Sequence, residues 1–228
     1  MLAENLIQIA GVIDAAEAQM LQRCGVRYLG FPLRLPVHRE DLTEREAAAI
    51  IGSLTPPVFG VLITYLYEAT EIAAFCHALG APIVQIHGDI DRGELKRLKS
   101  LDPNLTVIKS LVVGMSDHKV LEATLRKLSP FVDAFITDTF DPKTGASGAT
   151  GKTHDWRVSR RLVELADRPI ILAGGLTPEN VKRAILEVGP TGVDSHTGVE
   201  DSTGRKSREK VQKFLSEANE AFDLVKAS

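Results

Sequence analysis

The sequence contains little cysteine and few aromatic residues. Two cysteines, Cys24 and Cys76, and one tryptophan occur in 228 residues, and aromatic residues make up 5% of the chain. Neither cysteine has metal-ligand spacing around it, and two isolated cysteines are more typical of buried thiols than of a disulfide or a zinc site. We therefore expect no disulfide framework and no metal centre.

Excess positive charge and long apolar runs are also missing. The 27 Lys and Arg residues are outnumbered by 30 Asp and Glu residues, so the net charge is −3, and no basic surface for nucleic acid is expected. No apolar run approaches the length that crosses a bilayer, and the N-terminal segment does not have the pattern of a secretory signal. We expect a cytoplasmic enzyme or binding protein without a nucleic-acid or membrane partner.

Eight short apolar runs alternate with eight amphipathic segments along the chain. Continuous apolar runs separated by helices indicate parallel strands that are covered on both faces. Eight such units predict a single (β/α)8 TIM barrel domain over residues 1–228, and an open doubly wound sheet is the alternative. The predicted strands are Leu6–Gly11, Val26–Phe31, Val58–Thr64, Pro82–Gly88, Leu105–Val113, Val132–Asp138, Pro169–Gly175 and Thr191–Gly198. The predicted helices are Ala15–Cys24, Glu44–Leu54, Glu68–Leu79, Arg92–Leu101, Asp117–Leu128, Arg157–Ala166, Pro178–Val188 and Arg208–Val225.

The sixth unit has a long connection, contained in ITDTFDPKTGASGATGKTHDW at residues 136–156. Most βα loops run roughly 2–6 residues, so this loop suggests a functional site. Asp138 ends the apolar strand before it. A carboxylate at the rim of an apolar barrel can have a raised pKa and act as a general acid. Capping of nearby loop N–H groups is the alternative role.

The seventh and eighth units carry a glycine-rich pattern that suits an anion. Gly174 and Gly175 precede a predicted helix, and Thr197 and Gly198 follow the last predicted strand. Glycine lets the backbone approach a ligand closely, and helix-start N–H groups point at an anion. Barrels often bind phosphate between these two loops, so we predict a phosphate site, although tight turns alone would also require glycine.

Other polar residues follow the predicted strands and should meet at the same barrel mouth. His87 is either a structural hydrogen-bonding residue or a catalyst, and Lys109 is either a Schiff-base lysine or the partner of a nearby acid. The remaining strand-end residues are Asp14, Arg34, Arg39, Tyr65, Asp89, Asp194 and His196.

Four segments together resemble the phosphoribosylanthranilate isomerase family of tryptophan biosynthesis. They are VQIHGD at 84–89, SGATGKTHDW at 147–156, LAGGLTPENV at 172–181 and GVDSHTGVE at 192–200. The resemblance implies a (β/α)8 barrel and an Amadori rearrangement of an aminoribose phosphate without a cofactor or a metal. It implies that Asp138 is the general acid that protonates the furanose ring oxygen, under a closing loop. It implies phosphate binding by Gly151, Gly174, Gly175, His196, Thr197 and Gly198, with Gln85 and Lys109 as further substrate-binding candidates.

Two segments depart from the pattern of that family. The first strand usually reads KICG, with the cysteine as general base, and here it reads QIAG, with Gln8 and Ala10 at the lysine and cysteine positions. Asp14, His87 or a water molecule is the candidate replacement base. The arginine that binds the anthranilate carboxylate has no direct counterpart, and Arg34 and Arg39 are the candidates.

These departures leave three functions in competition. The first is isomerisation of the family substrate. The second is an isomerase, epimerase or aldolase reaction on another phosphorylated sugar or small molecule. The third is non-catalytic binding of a phosphorylated ligand. In each case the partner is a small phosphorylated molecule, and the protein is either a monomer or a homodimer.

Overall fold

The computed structural model describes residues 2–36, 40–114, 117–141, 146–147 and 153–227, with only the backbone at 140, 141, 146 and 147. Eight of its nine strands run parallel, and pairing between β5 and β6 closes them into a barrel. The strands are β1 Leu6–Ala10, β2 Tyr28–Pro32, β3 Phe59–Thr64, β4 Ile83–Ile86, β5 Thr106–Val113, β6 Ala134–Asp141, β7 Ala146–Ser147, β8 Ile170–Leu172 and β9 Gly192–Ser195. The predicted (β/α)8 barrel is therefore confirmed.

One helix follows each barrel strand along the chain and covers the outside of the sheet. The helices are α1 Ala15–Cys24, α2 Glu44–Ser53, α3 Ala69–Leu79, α4 Arg92–Leu101, α5 His118–Leu128, α6 Trp156–Leu165, α7 Val181–Val188 and α8 Arg208–Ala227. Short 3-10 helices occupy Ser129–Phe131 and Thr197–Val199. Among the helices within the described ranges, none is both long and apolar enough to cross a membrane.

The apolar core has two layers because side chains alternate along each strand. In β5, Val107 and Leu111 belong to the larger cluster between the sheet and the helices, whereas Ile108 belongs to a cluster inside the barrel. Ala10, Ile136 and Ala173 are also in the interior cluster. The interior is therefore apolar up to the level at which the polar residues described below begin.

The end of the sixth strand differs from the prediction. The strand was predicted to end at Asp138, but β6 continues to Asp141. It pairs with β5 as far as Thr139 and Val113, and then pairs antiparallel with β7. The extension exists because each neighbour supplies backbone partners, which an apolar run in the sequence does not reveal. Asp138 consequently lies within an ordered strand.

The seventh and eighth units also differ at their ends. Helix α7 begins at Val181 and not at Pro178, because residues 178–180 form a turn in which the backbone N–H of Glu179 donates to Thr177 Oγ1 at 3.2 Å. Strand β9 ends at Ser195, and the 3-10 helix at Thr197–Val199 replaces the predicted extension to Gly198.

Candidate active site

A cavity of about 330 Å³ opens at the carboxyl end of the barrel. That is the size of a small-ligand site, and in barrels this face carries the active site. It brings together most of the residues that the sequence singles out. Its lining includes Ala10, Tyr65, Gln85, His87, Asp138, Gly174, Gly175, Asp194, His196, Thr197 and Gly198.

Asp138 is a buried carboxyl group on β6 that lines this cavity. Its Oδ1 atom accepts a hydrogen bond of 2.8 Å from the backbone N–H of Thr139. Burial raises the pKa of Asp138 to about 7, against the lowering effect of that hydrogen bond. A large fraction of the group is therefore protonated near neutral pH, as a general acid requires.

His87 lies beside Asp138 and is neutral. Burial, with a smaller contribution from the charge of Lys109, lowers the pKa of His87 to about 3. Its Nε2 atom is 2.7 Å from the amide nitrogen of Gln85, so Nε2 accepts and Nδ1 carries the proton. His87 Nδ1 is 3.5 Å from Asp138 Oδ2 and has no hydrogen-bond partner among the described residues.

A chain of polar side chains connects this pair to the opposite wall of the barrel. Gln8 Nε2 donates to Gln85 Oε1 at 2.8 Å and to Asp194 Oδ1 at 3.0 Å. Both N–H hydrogens of the Gln8 amide are donated. Because Gln85 Oε1 accepts one of them, the Gln85 amide nitrogen faces His87, and its N–H fixes the tautomer of His87. Asp194, Gln8, Gln85 and His87 therefore form one hydrogen-bonded network, and Asp138 lies 3.5 Å beyond its end.

Asp194 is the second buried carboxyl group of the cavity. Burial raises its pKa to about 7, the hydrogen bond from Gln8 lowers it, the charge of Asp138 raises it and the charge of Lys206 lowers it. The charge of Asp138 disfavours ionisation of Asp194 because like charges repel. The sequence prediction named Asp194 as a strand-end residue but gave it no role, and gave Gln8 none either.

A periodic signal in the sequence could have identified this network. Along β1, Leu6 and Ala10 point into the barrel, so Gln8 between them does too. By the same alternation, Gln85 follows Ile83 and Asp138 follows Ile136 on the interior face. Buried polar residues at inward positions of apolar strands need partners, which here are one another.

The glycines of the predicted phosphate site are required by the local backbone. Gly174 has φ +97° and Gly175 has φ +63°, a region that favours glycine. A Cβ atom on Gly174 would lie 2.1 Å from Thr139 Oγ1, and one on Gly198 would lie 1.9 Å from the carbonyl oxygen of Leu176. Among the described residues, neither Gly174 nor Gly175 donates its backbone N–H to a protein acceptor.

Backbone N–H groups at this part of the cavity wall could therefore donate hydrogen bonds to an anion. Thr197 and Gly198 face the same cavity from the short 3-10 helix. The ring of His196 occupies the space beside Gly11, where a Cβ atom would lie 2.1 Å from His196 Nε2. This wall combines small residues, N–H donors and a hydroxyl group, which suits phosphate.

His154 joins the end of the long connection to the end of β6. Its Nδ1 atom is 2.9 Å from Thr139 Oγ1, and its Nε2 atom is 2.6 Å from Ser159 Oγ on α6. Burial lowers the pKa of His154 to about 4, against the charge of Asp155. Thr139 directly follows Asp138, so this contact fixes the strand that carries the candidate acid.

Three predicted site residues lie away from the cavity lining. Asp14 caps α1 by accepting from the backbone N–H of Glu17 at 2.7 Å, and it pairs with Arg205 at 2.6 Å. Lys109 is buried on the same side of β5 as Val107 and Leu111, outside the barrel interior, although the sequence interpretation placed it inside. Its Nζ atom donates to the Ser110 carbonyl at 3.0 Å.

Arg34 is the third of these residues. Its guanidinium group is 2.8 Å from Glu44 and 3.0 Å from Glu71, and it lies 3.8 Å above the centre of the Phe75 ring. Its backbone N–H donates to Glu40, which lines the cavity together with Asp41. The other two predicted residues, Arg39 and Gly151, are outside the described residues.

Comparison with known proteins identifies one family. The model of the N-(5'-phosphoribosyl)anthranilate isomerase family matches residues 8–217. The chain is 36% identical over 224 residues to N-(5'-phosphoribosyl)anthranilate isomerase 2 of Methanosarcina mazei, covering 96% of both chains. It is 33% identical to N-(5'-phosphoribosyl)anthranilate isomerase of Haloferax volcanii, covering 96% of this chain and 95% of that one.

The solved structures agree with the sequence comparison. Phosphoribosyl anthranilate isomerase of Thermotoga maritima superposes with a TM-score of 0.80 at 27% identity, over 95% of this chain and 99% of that one. A phosphoribosyl anthranilate isomerase in complex with reduced 1-(o-carboxyphenylamino)-1-deoxyribulose 5-phosphate gives 0.78 at 25% identity, with the same coverage.

Proposed function

Because the chain belongs to the N-(5'-phosphoribosyl)anthranilate isomerase family and is an isomerase of tryptophan biosynthesis, we propose that it converts N-(5'-phosphoribosyl)anthranilate into the corresponding aminodeoxyribulose phosphate. The observation that supports this reaction most is the position of Asp138. This buried carboxyl group has a pKa raised to about 7 and lies in the same cavity as the glycine-rich loops.

The geometry suits opening of the sugar ring. The substrate phosphate lies against Gly174, Gly175, Thr197 and Gly198, whose backbone suits an anion. Protonated Asp138 donates to the furanose ring oxygen, and the nitrogen lone pair expels that oxygen to give an iminium ion. The His87 Nδ1–H group, 3.5 Å from Asp138, stabilises the resulting carboxylate.

Turnover of the family substrate tests this proposal. The substrate is generated in the cuvette, purified protein is added, and loss of the anthranilate-type fluorescence is followed. Removal of a positioned general acid typically costs roughly 10²–10⁴-fold in rate, so Asp138→Asn should reduce kcat by that factor. Asp167→Asn, at an exposed position between α6 and β8, is the matched control and should retain wild-type activity. Equal rates for wild type and Asp138→Asn would contradict the assignment.

A second candidate function is the same chemistry on another phosphorylated sugar. Two observations favour it: Ala10 lines the cavity at the position of the family cysteine, and Arg34 is bound to Glu44 and Glu71. Under this candidate, the wild type would leave the anthranilate substrate unchanged. It would still be protected against thermal unfolding by a pentose phosphate, through the same glycine-rich wall.

A further inference from the structure

The missing cysteine leaves the reaction without an obvious proton acceptor. A base must take the proton from C2 of the iminium intermediate, and the methyl group of Ala10 has no lone pair. The acceptor must therefore be another group of the cavity wall. Among the described lining residues, the carboxyl and imidazole side chains are those of Glu40, Asp41, His87, Asp138, Asp194 and His196. Glu40 and Asp41 belong to the loop after β2, where Glu40 accepts from the backbone N–H of Arg34 and Asp41 is exposed, which leaves four candidates nearer the interior.

Three of these four are engaged in other ways. Asp138 carries the proton for the ring oxygen. His87 Nε2 already accepts from Gln85, and its Nδ1 atom carries a proton. The ring of His196 packs beside Gly11 and has its Nε2 atom 3.5 Å from Glu200. Asp194 is the acceptor that remains.

Asp194 also lies on the strand that pairs with the one carrying Ala10. Strand β9 pairs with β1, and Asp194 is the register partner of Gln8. Gln8 and Ala10 are two residues apart on one strand, so both face the barrel interior. We propose that Asp194 is the general base of this chain and takes the place of the cysteine that Ala10 replaces, an assignment that rests on the proposed isomerase function.

The two carboxyl groups have different hydrogen-bond environments. Asp194 accepts a side-chain hydrogen bond from Gln8 and is near the positive charge of Lys206, and both favour its ionised form. Among the described residues, the one hydrogen-bond donor to Asp138 is the backbone N–H of Thr139, and Asp138 also faces the N–H of His87. The titratable groups around Asp194 are Asp138, His87, His196 and Lys206. These contacts favour a protonated Asp138 and an ionised Asp194, which separates an acid from a base.

The proton transfers then balance over one turnover. Asp138 gives its proton to the ring oxygen, and the C1–O bond breaks as the C1=N bond forms. The Asp194 carboxylate takes the C2 proton, the C2–H electron pair forms C1=C2, and the C1=N π pair neutralises the nitrogen. Ketonisation then returns the proton of Asp194 to C1 and passes the O2 proton to Asp138. Both residues end in their starting states.

Replacement of the base, followed by rescue, tests the assignment. Asp194→Asn keeps an oxygen that can accept from Gln8, and it should lower kcat by roughly 10²–10⁴-fold. Adding Ala10→Cys in that background should raise kcat at least tenfold, because the cysteine thiolate can accept the proton. Adding Ala10→Cys to Asp138→Asn should recover nothing, because the acid is then the missing group. Binding of reduced 1-(o-carboxyphenylamino)-1-deoxyribulose 5-phosphate to each variant checks that the cavity stays intact.

The pH profile gives a second readout that a purely structural role would not change. The acid must be protonated and the base ionised, and each group has a pKa raised to about 7. The wild-type profile of kcat/KM is therefore bell-shaped, with its maximum near pH 7. Asp194→Asn should remove the acidic limb, where the wild-type rate falls as the base becomes protonated. The basic limb should remain.

The outcomes separate this inference from the proposed function. Wild-type turnover with less than a threefold loss in Asp194→Asn would overturn the assignment of Asp194 and leave the isomerase function standing. A wild type that is inactive until Ala10→Cys is introduced would also overturn it, since no native base would be present. If the wild type and Ala10→Cys were both inactive on the anthranilate substrate, the proposed function would fail, and the role of Asp194 in it as well.

Discussion

The Nδ1 atom of His87 lies 3.5 Å from the Oδ2 atom of Asp138 without a hydrogen bond between them. Hydrogen bonds between catalytic groups often shorten when the substrate binds. In this site, transfer of the proton from Asp138 creates a carboxylate, and the N–H group beside it then becomes a charge-assisted donor. The contact is therefore suited to the state after proton transfer.

His87→Phe should consequently impair the chemical step more than substrate binding. We expect kcat to fall by about 10–100-fold, the range for loss of one hydrogen bond to a charged group, with less than a threefold change in KM. His87→Gln, which retains an N–H donor, should recover part of the loss. The two variants are compared by steady-state kinetics at pH 7. A change confined to KM would mean that His87 contacts the substrate and not Asp138.

The buried carboxyl groups also make stability depend on pH. The pKa of Asp194 is raised to about 7 from an ordinary value of 3.8, so between these values the folded state binds more protons than the unfolded state. Its contribution to the free energy of unfolding is complete below about pH 4 and is lost as the pH rises through 7. Asp194→Asn removes this dependence.

Relative to wild type, Asp194→Asn should therefore gain stability as the pH is raised from 5 to 8, by an amount on the order of a few kcal/mol. Urea unfolding of both proteins at several pH values measures this difference. Asp167→Asn, at an exposed position, is the control and should parallel the wild type. A difference that is constant with pH would contradict the raised pKa of Asp194.

Gly174→Ala should damage the candidate phosphate site directly. The added Cβ atom would be strained at φ +97° and would lie 2.1 Å from Thr139 Oγ1. We expect a loss of about 1–3 kcal/mol in unfolding free energy and at least tenfold weaker binding of the reduced product analogue. Gly189→Ala is the matched control, with φ +67° and open space around the new Cβ atom. It should cost about 1 kcal/mol and leave binding unchanged, and equal effects of both variants on binding would contradict the phosphate assignment.

Arg34→Gln distinguishes a structural role of Arg34 from a role in binding the substrate carboxylate. Its guanidinium group is held by Glu44, Glu71 and the Phe75 ring, so we expect a stability loss of about 1 kcal/mol. The KM for N-(5'-phosphoribosyl)anthranilate should change less than twofold. Arg39→Gln, the other predicted carboxylate ligand, is measured beside it. A tenfold rise in KM for Arg34→Gln would mean that the guanidinium group leaves its ion pairs to bind the substrate.

The sequence predicts the barrel and the location of the site for a simple geometric reason. Strand ends of a parallel barrel all reach one face, so Asp138, His87, Gly174 and Thr197 could be brought together without knowledge of any contact. The number of βα units follows from the apolar runs, which can be recognised in the sequence without knowing which strands pair.

Contacts between distant residues could not be predicted in the same way. The bond from Gln8 to Asp194 joins residues that are 186 positions apart, and nothing local to either residue indicates the other. Arg34 follows a predicted strand and therefore looks like a site residue, but the carboxylates of α2 and α3 bind it. The extension of β6 similarly depends on its partner strands.

The pairing of β1 with β9 has a consequence for how the protein is made. A ribosome that adds roughly 5–20 residues per second needs roughly 10–40 s to proceed from Gln8 to Asp194, which are 186 residues apart. During that time β1 can pair with β2 but not with β9. The β1–β9 pairing that completes the barrel also brings Asp194 to Gln8. In a nascent chain, Asp194 therefore reaches the cavity only when the barrel is complete.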